Sequence, residues 1–217
     1  VLSHGLFSER RTLKKKGGLY LVGKNLRTLI IAAACVFLMV ACTTLRFSQV
    51  DPAAKDFHPR SIAVFAADVG PYAEAKGVVE KEVAEALADK KWFAAVVDSE
   101  SINNQMRDNE ELREAMKEYL AKLKTLNFSD PYLSRKISEI IKAEAFLLVS
   151  VDIWHYTVEQ DKKVAKVSMG MRLYEGSTGH LMWRAGHQRA ESYMLIKPEL
   201  SAVARKVAND MFGHMPR

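Results

Sequence analysis

Three segments in the C-terminal half alternate apolar and polar residues with a period of two, a pattern that suits strands and no helix. In 146–153 the apolar positions are Leu147, Val149, Val151 and Ile153. In 166–174 they are Val167, Met169, Met171 and Leu173, with Lys166, Ser168 and Arg172 between them. In 180–189, Leu181, Trp183 and Ala185 continue the pattern. Such strands pack one face and leave the other to solvent. Gln160-Asp161 and Gly176-Ser177-Thr178-Gly179 supply the intervening turns, so the three strands are expected to form an antiparallel meander. Trp183 shares parity with Leu181 and Ala185, which makes it a core anchor rather than a binding residue.

The preceding stretch reads differently. Ser61-Ile62-Ala63-Val64-Phe65 is a short β-branched and aromatic strand, and Ala94-Ala95-Val96-Val97 is a second. Between them, Val79, Val83, Ala86 and Leu87 recur at helical spacing over 74–89. Strand, helix, strand implies a parallel pair joined by a right-handed crossover. Asp98-Ser99 caps a helix over 100–107. Leu112, Met116, Leu120 and Leu123 make one face of a helix over 109–125. Asp130-Pro131 starts another, with Leu133, Ile137, Ile140 and Ile141 as its buried face. A last helix begins near Pro198, with Leu200, Val203, Ala204, Val207, Ala208 and Met211 in its stripe. The expected fold is α/β: a mixed sheet of about five strands with a C-terminal antiparallel meander, flanked by helices, over residues 61–217.

Residues 1–41 are of another kind. The apolar run ending at Ala41 is too short to cross a bilayer in a helix, which takes about 20 residues. Lys24 and Arg27 precede it and a small residue closes it, the form of a secretory signal peptide. Met39-Val40-Ala41-Cys42 resembles the lipobox of bacterial lipoproteins, with Met39 where leucine is usual and Leu38 one position earlier. The resemblance implies cleavage between Ala41 and Cys42 and lipidation, as by palmitate, of Cys42; an ordinary signal peptide and a core helix are the alternatives. Val22 would open a compact leader, with residues 1–21 upstream of the true start; an extended basic leader is the rival. Thr43 to Arg60 is polar, contains Pro52 and Pro59, and reads as a tether with a reach of at most ~60 Å.

The whole chain has 32 basic and 26 acidic residues, a net charge of +6. Seven of the basic residues and one acid lie in 1–41, leaving 25 of each sign in 42–217. A balanced domain gains little from counterion release, so nucleic acid is not an expected partner. Cys35 leaves with the leader and Cys42 takes lipid, so the domain has no thiol for a disulfide, for catalysis or for zinc. Neither a phosphate-binding glycine loop nor a nucleophile elbow nor a metalloprotease motif is present. His180 and His187 differ by an odd number on one strand, as do Asp152 and His155, so parity separates each pair. The expectation is a chain without catalytic residues, metal or cofactor.

The order of Ile62-Ala63-Val64-Phe65, Phe93-Ala94-Ala95-Val96-Val97-Asp98, Lys142-Ala143-Glu144-Ala145-Phe146 and the hairpin Glu175-Gly176-Ser177-Thr178-Gly179-His180-Leu181-Met182-Trp183 resembles periplasmic lipoproteins of the CsgG and LpoB type. Their domain is similar to the N-terminal domain of TolB. The hairpin matches through Thr178, Gly179 and Trp183; Lys142 and Glu144 depart from the family's Gly and Asp. The resemblance implies a non-enzymatic, lipid-anchored binding or assembly factor of the cell envelope. Thr43 after the cysteine implies the outer membrane, facing the periplasm. Its partners would be the membrane, through Cys42, and an envelope protein, with a homo-oligomer as an open alternative. Two other readings are a subunit of a curli-type secretion pore and an activator of a peptidoglycan synthase. Partner contact is expected on the exposed parts of the 109–142 helices and on the loop Asp68 to Tyr72, the segments least tied to the core.

Overall fold

Residues 45–216, the part of the chain that the computed structural model describes, contain one six-stranded mixed sheet and five α-helices. The strands are β1 (Phe47–Val50), β2 (Ser61–Val64), β3 (Ala95–Val97), β4 (Ala145–Glu159), β5 (Lys162–Glu175) and β6 (Leu181–Tyr193). The helices are α1 (Val78–Lys90), α2 (Ser99–Asp108), α3 (Glu110–Leu126), α4 (Pro131–Ile141) and α5 (Leu200–Phe212). Strand order is β1-β6-β5-β4-β2-β3, with β2 parallel to β3 and β4 and the remaining pairs antiparallel.

The helices lie on both faces of this sheet. From β2 the chain steps outward to β3 through α1, then returns past β2 to β4 through α2, α3 and α4. Right-handed crossovers in opposite directions put their helices on opposite faces. Accordingly, α1 and α5 pack over Ile62, Val64, Leu147, Val149, Met169, Met171 and Trp183. On the other face α2, α3 and α4 enclose Ala63, Phe65, Phe146 and Tyr174. Phe65, Tyr119 and Phe146 meet there with ring centroids 4.9–6.5 Å apart, within the range of favourable aromatic pairs.

The helix ends follow from local chemistry. Asp98 accepts from the Ser101 amide at 2.7 Å, Asn109 from Leu112 at 3.0 Å, and Asp130 from Tyr132 and Leu133; each satisfies amides that the first turn leaves unpaired. Arg205 of α5 reaches Glu82, Glu85 and Asp89 along α1, tying the two helices of one face together. In the β5–β6 turn, Gly179 has φ +70°, and a Cβ there would meet Ser129 Oγ at 2.7 Å. Both the conformation and the close approach require glycine.

Three expectations need correction, the briefest being that the β5–β6 register shifts between Leu173 and Tyr174, so Leu181 packs on the α2–α4 face and not with Trp183 and Ala185. The first is the tether over 43–60. Phe47–Val50 forms the sixth strand, antiparallel to β6, and Ala54 and Phe57 are buried. Ser48 Oγ accepts from Trp183 Nε1 at 2.9 Å, and Gln49 Oε1 accepts from Arg184 Nε at 2.8 Å. The Phe47 ring lies over Gly186, where a Cβ would come within 2.4 Å of it. Pro52 begins a short 3-10 turn capped by Asp51 instead of breaking the structure. The physical reason is that an edge strand needs only one neighbour and buries little of itself, so four residues suffice and no alternation is visible.

The second correction is in β4. Its alternation was expected to run through Ile153, but the register shifts between Val151 and Ile153. This bulge inserts a residue and reverses the parity beyond it. Trp154 therefore joins the core on the α1–α5 face at 4% exposure. It also undoes the parity argument for Asp152 and His155: Asp152 Oδ2 lies 3.4 Å from Ser168 Oγ, Ile153 pairs with Ser168, and His155 is two residues further along. The three strands run to 15, 14 and 13 residues, longer than their clean alternation indicated.

Candidate functional site

The two site residues read from the sequence, Ala41 and Cys42, lie outside the described residues. The described residues begin at Leu45, three residues after Cys42, and Leu45 packs against the core. Whatever Cys42 carries is thus joined to the sheet by a span of at most ~10 Å.

The histidines do not converge. His180 Nε2 is 3.3 Å from Asp51 Oδ2 at the surface, next to the β5–β6 turn. His187 lies on the α5 face at 4% exposure, with Nε2 3.2 Å from Asp210 Oδ2. Neither ring nitrogen of His187 has an aligned hydrogen-bond partner, and Asp210 is engaged by Arg189 through Nε and Nη2. Burial holds the imidazole pKa below its ordinary value; Asp210 pulls it back up and Arg189 pushes it further down. Among the described residues, no three His, Cys, Asp or Glu side chains are grouped to hold a metal ion.

A buried neutral histidine makes stability depend on pH. With its folded pKa depressed, His187 contributes stability fully above the unfolded value near 6.5, and that stability is lost as pH falls through the folded value. Thermal unfolding between pH 7.5 and 5 should therefore show a falling Tm in the wild-type chain. In His187→Leu the slope should be smaller by up to the one-proton limit of about 1.4 kcal/mol per pH unit. Equal slopes would show that His187 is not the group responsible.

Exposed chemistry gathers around the turn between α3 and α4. Leu126, Phe128 and Tyr132 are 67%, 50% and 73% exposed there, a small apolar group on a largely polar surface. Lys124 Nζ reaches Asp68 Oδ2 at 3.2 Å, which connects the end of α3 to the loop after β2. The Gly70 amide first, and the Lys124 ammonium second, hold the Asp68 carboxyl below its usual range. Arg172 Nη1 donates to Asn127 Oδ1 at 3.1 Å, bringing β5 to the same place. The end of α3 and the Asp68–Tyr72 loop, both expected to carry partner contact, thus meet through the Lys124–Asp68 pair. Phe128 was not legible, because periodicity describes helix faces and not the residues between helices.

Two open clefts, of about 290 and 300 Å³, flank His58 and Pro59 at the end of the sheet where β2 and β4 begin. One is bounded by Arg60, Trp92 and Phe93, the other by Asp56, Ser138 and Glu144. Glu144 Oε2 is already engaged, accepting from the Arg60 amide at 2.6 Å. Both are at the small end of the range for ligand pockets.

Neither a protein-family model nor a curated protein sequence matches this chain. Solved structures do share its fold. The PelC dodecamer from Paraburkholderia phytofirmans is similar over 80% of this chain and 96% of its own, with 16% identity and a TM-score of 0.51. Lipoprotein GNA1162 from Neisseria meningitidis aligns with 72% of this chain and 100% of its own, at 15% identity and a TM-score of 0.44. At 16% identity the likeness to PelC is one of fold. It supports the α/β architecture and does not single out the CsgG or LpoB type.

Proposed function

We propose that this chain is a lipid-anchored protein of the bacterial envelope, held at the outer membrane through Cys42 and facing the periplasm, where it binds or organises another envelope protein without catalysing a reaction. The observation that carries this reading is Met39-Val40-Ala41-Cys42, which closes an apolar run three residues before the first described residue, Leu45. The exposed turn of Leu126, Phe128 and Tyr132 beside the Asp68–Lys124 pair is the surface offered to a protein partner. Its mixture of aromatic side chains and fixed charges suits protein recognition better than a small substrate. In the most enzyme-like pair, His187 is buried under α5, and Asp210, a partly exposed residue of α5, is held by Arg189.

Edge strand β1 bears on the alternatives. An activator of an inner-membrane synthase must span the periplasm, and incorporation of residues 47–57 into the domain shortens the free linker from ~60 Å to ~10 Å. For a pore, β4, β5 and β6 exceed the ~9–11 residues of a membrane strand, but Met169, Met171 and Trp183 are covered by α1 and α5. A ring without a barrel is a different matter. PelC shares this fold and is a dodecamer, and here, among the described residues, both sheet edges, β1 and β3, have one side unpaired. Homo-oligomerisation through those edges is the second reading, and edge pairing is the physical route to it.

The direct test of the anchor is metabolic palmitate labelling. Cys42→Ser should abolish the label and leave the chain uncleaved, whereas Cys35→Ser should leave labelling unchanged. A label that persists in Cys42→Ser would remove the central claim.

A further inference from the structure

The end of the meander opposite the clefts carries a feature that neither the fold nor the partner surface uses. Met194, Leu195 and Ile196 follow β6 directly and are 90%, 96% and 87% exposed. Three consecutive large apolar side chains in water are unusual for a soluble surface, and such groups mark contact sites. Val158, 65% exposed, lies near the same rim: it pairs with Lys163, and Lys163 pairs with Tyr193.

The loop is held rather than loose. The Tyr156 and Tyr193 rings meet edge to face at 6.1 Å. Tyr156 donates its hydroxyl proton to the Pro198 carbonyl at 3.0 Å, and Lys197 Nζ sits 3.5 Å above the Tyr156 ring. Both ends of the loop are thus fastened to one aromatic residue of β4, and residues 194–196 project between the fastenings.

The direction in which the chain enters β1 bears on what this loop faces. β1 runs antiparallel to β6, with Phe47 opposite Gly186, so the residues before it run toward the later part of β6. Continuing that register puts Leu45 about level with Gln188, five residues or ~17 Å short of Tyr193. The three further residues to Cys42 span up to ~10 Å. Chain length therefore keeps Cys42 within about 10 Å of Leu45, the first described residue, from which β1 is entered at this end of β6.

We propose that Met194-Leu195-Ile196 is a second membrane contact, entering the boundary between headgroups and acyl chains of the bilayer to which Cys42 is anchored. The inference rests on the lipoprotein reading for its orientation. A lipid on Cys42 tethers the domain without orienting it, and an apolar element in the interface adds buried apolar area and fixes the orientation. The charges at this rim nearly balance: Lys166 pairs with Glu159, leaving Lys162, Lys163 and Lys197 beside Asp161 and Glu199. The contact is therefore apolar and should not depend on anionic lipid. It turns the two clefts beside His58, at the other end of the sheet, away from the bilayer.

The test places an environment-sensitive fluorescent amino acid at Leu195, and separately at Ser177 in the opposite turn, in the full chain expressed with its leader. The membrane-extracted protein is reconstituted into phosphatidylethanolamine–phosphatidylglycerol vesicles containing acyl-brominated lipid, and palmitate on Cys42 is read in parallel. Position 195 should be quenched several-fold more strongly than position 177, and equally so at high salt. Palmitate with an unquenched position 195 overturns the loop contact and leaves the anchor standing. Quenching at 195 without palmitate supports the loop and overturns the anchor. If neither is seen, both readings fall. A spectral shift without quenching by brominated lipid means a protein covers the loop, and quenching abolished by salt means electrostatic adsorption; either overturns the proposal.

Discussion

Trp183→Ala is expected to lower the stability of the domain by about 3–5 kcal/mol, the range for emptying a large aromatic site in a packed core. Trp183 is 1% exposed and is among the largest fully buried side chains. It packs with Ala185 and Leu173 on the face covered by α1 and α5. Its indole N–H also leaves the core to reach Ser48 Oγ at 2.9 Å. Ser48→Ala, which removes that acceptor and keeps the ring, should cost about 1 kcal/mol, the usual net value of one hydrogen bond. Urea titration of the two variants separates packing from hydrogen bonding. A Trp183→Ala loss near zero would mean that the ring is not in the core.

The second large effect concerns residues 45–60. A chain starting at Ser61 should be at least about 3 kcal/mol less stable than one starting at Leu45, since it loses the buried Phe57 ring and an entire edge strand. Phe57 and Ala54 are 8% and 2% exposed. Asp51 also donates its backbone amide to the Met182 carbonyl at 2.9 Å, an interaction that ends with the same cut. Removal would expose Trp183 Nε1 and the outer edge of β6 to solvent, and a freed strand edge promotes association. Equal urea midpoints for the two chains would restore the tether and, with it, the ~60 Å reach that an inner-membrane partner requires.

Much of the architecture was legible because its signals are local. Leu147 to Val151 and Val167 to Leu173 alternate without interruption, and the structure pairs them in one register, Leu147 with Leu173 and Val149 with Met171. Asp98, Asn109 and Asp130 start helices through contacts within three residues. The partner surface was legible only as a region. The helices beside Asp68 could be named, whereas the meeting of Lys124 with Asp68 and of Arg172 with Asn127 spans 56 and 45 residues of sequence.

By itself the sequence determined the meander, the helices on both sides of β3, the change in composition at Cys42 and the charge balance of everything after it. These depend on periodicity, capping chemistry and counting, which act within a few residues. Tertiary structure alone decided that Phe47–Val50 is a strand, because an edge strand is specified by the partner that accepts it and not by its own pattern. It alone decided that Trp154 rather than Ile153 enters the core, because a bulge is a relation between two strands. It also decided that Met194-Leu195-Ile196 is left uncovered by the rest of the domain, at the end of β6: apolar residues bury where the fold gives them a neighbour, and here it gives them none.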